Sequence, residues 1–247
     1  LLREALAGGA DAVGGLPEAE LNVDDQRRHV ALVLDIAGEA GVPVEMHCDY
    51  MDQAELKTLA MLAAGTLERG LEGQVTASHC NALAVYPDDE AKAVIELVRE
   101  AGISVAVLPV ANLQMLGGPE RTPYNRGSSR VKELLDAGIN VAAGSDSMFD
   151  IWYRFNRLDP VETGYISCLS AGMRTDEEVQ TAFDMVTAHA ARMVGKEAVI
   201  AVGAPADLVV HAVSNIVQVL RNLPGRRLNI KNGRVVGGQN GSHWCIR

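Results

Sequence analysis

A five-fold alternation constrains this chain most: a short apolar run, an amphipathic stretch, then the next apolar run. The runs fall at residues 11–16, 42–47, 74–79, 103–108 and 140–146, with helical periodicity over 24–40, 53–69, 88–101 and 127–137 between them. Gly41, Gly102 and Gly138 each follow an alanine at the end of a helical stretch, where a left-handed residue stops the helix before the next strand. Strand, helix and strand at this spacing make parallel βα units, because a parallel neighbour is reached only by a crossover over one face of the sheet. The fold is therefore expected to be α/β.

Such units build either a doubly wound sheet or a (β/α)8 TIM-type barrel, and the polar residues separate the two. No phosphate-binding glycine fingerprint follows the first strand. Instead His47, His79 and Asp146 each close an expected strand, and a barrel gathers its chemistry at that C-terminal rim. Further helices are expected near 158–172 and 175–195. The pattern changes at Gly203, after which 207–211, 227–230 and 234–236 read as short strands, two of them joined by a turn at Lys231, Asn232 and Gly233. The expected organisation is a partial barrel over 1–200, a small C-terminal β appendage over 201–238 and a loose tail over 239–247. Five parallel strands would leave two long bare edges, which folded proteins avoid. The chain opens without Met or a signal sequence and reads as the last turns of a helix, so further strands are expected before it.

Composition narrows the function. With 48% hydrophobic but only 4% aromatic residues, the core must be built from Ala, Val, Leu and Ile. A net charge of −10 spread along the chain argues against nucleic-acid binding, which needs clustered Lys and Arg. No apolar run approaches the roughly 20 residues of a membrane span. Cys48, Cys80, Cys168 and Cys245 are far apart and form no C-x-x-C pair, so reduced thiols and a cytoplasmic location are expected.

Two imidazoles and a carboxylate converging on one rim suit Zn²⁺ or Fe²⁺. Taken singly, a strand-end histidine is more often a hydrogen-bonded structural residue; the weight lies in the three equivalent positions. The neighbouring residues sharpen the reading. The run from His47 to Asp49, Val75 to His79, Pro109 to Asn112, Arg126 to Arg130, and Gly144 through Asp146, Phe149 and Trp152 to Tyr153 follow in order. In that order and spacing they resemble the cytosine deaminase-like branch of the amidohydrolase superfamily, and the likeness extends from Gly9 to Asn232.

The resemblance implies that the five strands are barrel strands 4–8, that His47 is a metal ligand, and that His79 contacts substrate or the attacking water. It implies that Asp146 both binds the metal and takes a proton from that water. The superfamily's other two ligands form a His-x-His pair that this sequence lacks, so two further His ligands are expected upstream of Leu1. The absence of Lys from 11–16 implies one divalent metal ion rather than two. Asn112, Gln114, Trp152, Ser147 and Tyr50 are expected, with His79, to bind a small heterocyclic substrate; a homo-oligomer is left open, with no interface legible. Tyr50 and Ser147 stand where cytosine deaminases carry Glu and Asp. Glu45, Asp49 and Asp52 are the nearby carboxylates able to replace the missing proton shuttle. These departures favour hydrolysis of a related C–N bond over cytosine deamination itself, with an inactive relative that binds a heterocycle or a partner as the alternative.

Overall fold

A computed structural model describes residues 1–116, 129–147, 157–240 and 243–245. A short helix α1 (Leu2–Ala7) leads into β1 (Val13–Gly15), α2 (Val23–Ala40), β2 (Val44–Cys48), α3 (Thr58–Arg69) and β3 (Val75–His79). Then come α4 (Asp88–Glu100), β4 (Ser104–Val107), α5 (Pro109–Met115), α6 (Val131–Asp136) and β5 (Val141–Ala143). The five strands pair in sequence order and all are parallel. Sequential order with right-handed crossovers places the connecting helices on one face, whereas a doubly wound sheet reverses its order and covers both.

Side-chain alternation agrees. Val44, Met46 and Cys48 of β2 are buried with Val33 and Leu34 of α2 and Leu59 and Leu62 of α3, while Glu45 and His47 point to the opposite face. On β4, Val105 and Val107 are buried and Ser104 and Ala106 are only half-buried. That second face carries short or polar side chains and leads up to the rim.

Local signals set the element ends. The Asn22 side chain accepts from the Asp25 N–H to start α2, and Asp24 and Asp25 lie in its first turn, where the helix dipole favours negative charge. Gly41 stops the helix at φ 66°. Three expectations shift. The stretch 53–69 is helical only from Thr58, because the residues after β2 turn across the rim. The stretch 175–195 breaks at Val186 and Thr187 into two helices. After α7 (Pro160–Ser170), α8 (Asp176–Met185) begins at a capping box made by Thr175 and Glu178, and α9 (Ala188–Met193) follows the break. Finally, β5 ends at Ala143, so Asp146 lies beyond the strand rather than on its last residue.

His189 of α9 packs as a structural residue. Its Nδ1 lies 3.0 Å from the Val141 carbonyl, on the side of β5 turned away from β4, and Asn140 donates to the His189 carbonyl at 3.2 Å.

The C-terminal sheet is antiparallel in the order β6 (Leu208–His211), β7 (Arg226–Lys231), β8 (Arg234–Asn240) and β9 (His243–Cys245), with α10 (Ile216–Asn222) between its first two strands. Residues 243–245, expected in a loose tail, instead pair along 238–240. The α10 segment was not anticipated; Val219 and Leu220 on it are buried, and the helix packs on α7 and α8, joining the small sheet to the larger unit. Among the described residues, no helix is long and apolar enough to cross a membrane.

The Gly41 stop gives a direct test. Gly41→Ala puts a Cβ on a left-handed residue and is expected to lower stability by about 1 kcal/mol, seen as a lower urea midpoint at unchanged slope. An unchanged midpoint would show that Ala adopts this turn without strain.

Candidate metal centre

His47, His79 and Asp146 meet at the C-terminal ends of the strands, each offering a ligand atom within 4.8 Å of the others. The two imidazole centroids are 4.8 Å apart. His47 reaches the site by ordinary alternation along β2. His79 does not: it pairs with Cys48 across the sheet, and regular β geometry would send it to the same buried side. Its backbone is left-handed instead (φ 70°), as is that of Asp146 (φ 69°), and these turns carry both side chains to His47. Non-glycine residues in this region are strained and cluster where function requires the geometry.

The protein engages one nitrogen of each ring. His47 Nδ1 lies 3.3 Å from Ser78 Oγ and 4.0 Å from Glu45 Oε2; His79 Nδ1 lies 3.3 Å from Asn112 Oδ1. Burial holds His79 below the usual imidazole range and His47 adds to this, against a smaller opposing pull from Asp146. A neutral ring has a lone pair to give. Two imidazole nitrogens and a carboxylate oxygen brought together are donors of the kind that could hold a divalent metal ion.

Behind the rim lies a polar network that sequence reasoning did not find. Asp49 is fully buried. Its Oδ1 accepts from the Thr58 N–H (2.7 Å), the Thr58 hydroxyl (2.9 Å) and the Leu59 N–H (3.3 Å), and its Oδ2 accepts from the Tyr86 hydroxyl (2.7 Å). Helix α3 has no capping side chain of its own, so Asp49 supplies the acceptor for its first N–H groups. Glu18, just after β1, lies against the Asp49 N–H and the Thr58 hydroxyl through Oε1, while its buried Oε2 has no partner among the described residues. Burial, helped by the Asp49 charge, raises the Glu18 carboxyl above its usual range. Asp49 is thus committed to structure and is no substitute proton shuttle; Glu45, beside His47, still faces the site.

The expected substrate residues divide. The Tyr50 ring meets His79 edge-on at 5.8 Å, and Ser147 follows Asp146 on the rim, half-buried. Asn112 is 2% exposed, with both ends of its amide engaged: Oδ1 by His79 and Nδ2 by Asn81 Oδ1 at 2.7 Å. Gln114, two residues further along α5 and so about 200° around it, lines a cavity of about 290 Å³ with Val110, Glu162 and Thr163 of α5 and α7. The expectation for Trp152 falls outside the described residues. A second cavity, of about 530 Å³, opens along β1 onto Gly14, Gly15, Glu45 and His47.

A sequential parallel sheet carries His, His and Asp together on its rim, and residues 1–236 match the amidohydrolase family, to which the chain belongs. The chain is 34% identical over 227 residues to a pterin deaminase of Rhizobium rhizogenes (strain K84 / ATCC BAA-868), covering 91% of this chain and 51% of that protein. It is 29% identical over 240 residues to the N-isopropylammelide isopropyl amidohydrolase of Pseudomonas sp. (strain ADP), covering 96% and 56%. The structure of 5-methylcytosine deaminase from Klebsiella pneumoniae liganded with 5-fluorocytosine superposes with a TM-score of 0.93 at 30% identity, covering 100% of this chain and 60% of that one. The chain therefore spans little more than half the length of the proteins it matches.

Glu18 gives a pH-dependent test. Its folded pKa is raised, so the stability it contributes is complete below the unfolded value of 4.5 and is lost as pH rises through the folded value. Glu18→Gln removes that loss while keeping an acceptor oxygen for Asp49 and Thr58. The variant is expected to gain thermal stability over the parent at pH 8 relative to pH 4, and a difference independent of pH would refute the assignment.

Proposed function

We propose that the protein hydrolyses a carbon–nitrogen bond of a small nitrogen heterocycle, using one divalent metal ion, Zn²⁺ or Fe²⁺. The observation that carries this reading is the convergence of His47, His79 and Asp146 on one rim. His47 and Asp146 would hold the ion, with two further histidine ligands supplied from sequence upstream of Leu1. The five strands are then strands 4–8 of a (β/α)8 barrel, a reading supported by their sequential parallel order.

A divalent ion in such a site lowers the pKa of water from about 15.7 toward about 7. The residues of the chain do the rest. Asp146, exposed on the rim, accepts the proton of the attacking water and passes it to the departing nitrogen. The water oxygen bonds to the ring carbon, the C–N bond breaks, and ammonia or an amine leaves. His79 directs Nε2 at the water or the heterocycle. Tyr50 and Ser147 flank the pocket. The relatives act, by their names, on a pterin, on N-isopropylammelide and on 5-methylcytosine, which supports an amino-substituted heterocycle as the substrate class. Tyr50 in place of a shuttle carboxylate supports a reaction in which Asp146 alone moves the proton.

Release of ammonia or amine by the protein expressed from its full reading frame, across a panel of amino-substituted pyrimidines, triazines and pterins, tests this. Turnover is expected to disappear on chelation, to return with Zn²⁺ or Fe²⁺, and to fall about 10²–10⁴-fold in Asp146→Asn. No release from any compound, with heterocycle binding that survives Asp146→Ala, would replace the enzyme with a binding protein.

A further inference from the structure

Two buried asparagines connect the rim residues in a way that metal binding alone does not require. We propose that Asn81 and Asn112 are positioning residues forming a polarised amide relay, anchored on the Tyr50 backbone carbonyl, that holds His79 as the Nδ1–H tautomer with its Nε2 lone pair facing the site. The inference deepens the reading above and rests on it for the use made of that lone pair, but the tautomer itself is a property of the chain.

The direction of the relay follows from its fixed end. A backbone carbonyl can only accept, so the group of Asn81 that lies 2.6 Å from the Tyr50 oxygen is its Nδ2 donor. That orientation turns Asn81 Oδ1 toward Asn112, whose Nδ2 donates to it at 2.7 Å. Asn112 Oδ1 is then what faces His79 Nδ1 at 3.3 Å, and two acceptors cannot share a hydrogen bond, so Nδ1 carries the proton. Reversing either amide would set donor against donor or acceptor against acceptor. Asn81 and Asn112 are each 2% exposed and His79 is 3% exposed, which leaves little access for water to repair a mismatch.

His47 is held differently. Its Nδ1 lies 3.3 Å from the Ser78 hydroxyl, which itself donates to the Met46 carbonyl at 3.4 Å, and 4.0 Å from Glu45 Oε2, so no side-chain amide takes part. The relay also gives Tyr50 two separable parts. Its carbonyl fixes the far end, while its ring packs edge-on against His79. Replacing the side chain removes the ring contact and leaves the relay's anchor in place.

Long-range proton–nitrogen correlation on metal-free, ¹⁵N-histidine-labelled protein reads the tautomer directly, because protonated and bare ring nitrogens resonate far apart. At neutral pH His79 is expected to show a protonated Nδ1 and a bare Nε2 as a single species. Asn81→Leu, which frees Asn112 to turn over, is expected to move His79 toward a mixture of tautomers, whereas Tyr50→Leu should leave the signal in place. A wild-type His79 with its proton on Nε2 would overturn the proposal without recourse to any variant. So would an Asn81→Leu protein, folded by its remaining spectrum, that keeps the pure Nδ1–H form. Zn²⁺ added afterwards tests the metal reading separately: a shift of a His47 ring nitrogen supports it, and no shift argues against it while leaving the tautomer result standing.

Discussion

Asp49 lies behind the site and organises the loops that form it. The carboxyl ends β2, supplies the acceptor that α3 lacks at its start, and takes the hydroxyl of Tyr86 from beyond β3. Its own N–H meets Glu18 from the β1 side, and its carbonyl accepts from the Ala82 N–H at 3.0 Å. Three successive rim loops thus share one buried residue. Removing a buried acceptor strands every donor that depends on it, at about 1–3 kcal/mol for each. The positions of His47, two residues before Asp49, and of His79, three before Ala82, follow from that junction.

The same rim concentrates unusual backbone. Asp49, His79, Cys80 and Asp146 all have positive φ. Conformations of this kind persist only where surrounding contacts over-determine them. At Asp49 those contacts are the hydrogen bonds to α3 and Tyr86; at His79 they are the Asn112 amide and the Tyr50 ring. At these strand ends the turn out of the β conformation is also what aims the side chain, so geometry and strain have one origin.

How much of this was legible in the sequence depended on the range of the interaction. The βα units were readable because periodicity and a stop such as Gly41 are local. The trio His47, His79 and Asp146 was readable because repeated units place equivalent residues at equivalent heights. Asn112 and Gln114 looked alike as amides two residues apart, and only the helical turn through them separates the one that meets His79 from the one that faces α7. Asp49 attracted notice as a carboxylate near a histidine, but its partner Tyr86 is 37 residues away, and no spacing rule announces such a pair. Asn81 and Glu18 left no signal for the same reason. The short β5 and the pairing of residues 243–245 likewise follow from neighbours rather than from the local pattern.

The alternation along β2 has a consequence for which ions the site can accept. Cys48 and Cys80 each directly follow a histidine of the trio, yet both are completely buried, and burial pushes both thiols well above their usual range. Kept protonated and on the core side, they withhold soft thiolate donors from the rim, where the trio presents only nitrogen and oxygen. A slip of one residue in the pairing of β2 would turn Cys48 outward and His47 inward, exchanging an imidazole for sulfur and shifting the preference toward softer metals. The register of a five-residue strand, held by the core packing of Val44 and Met46, would therefore also bear on which metals the proposed site accepts.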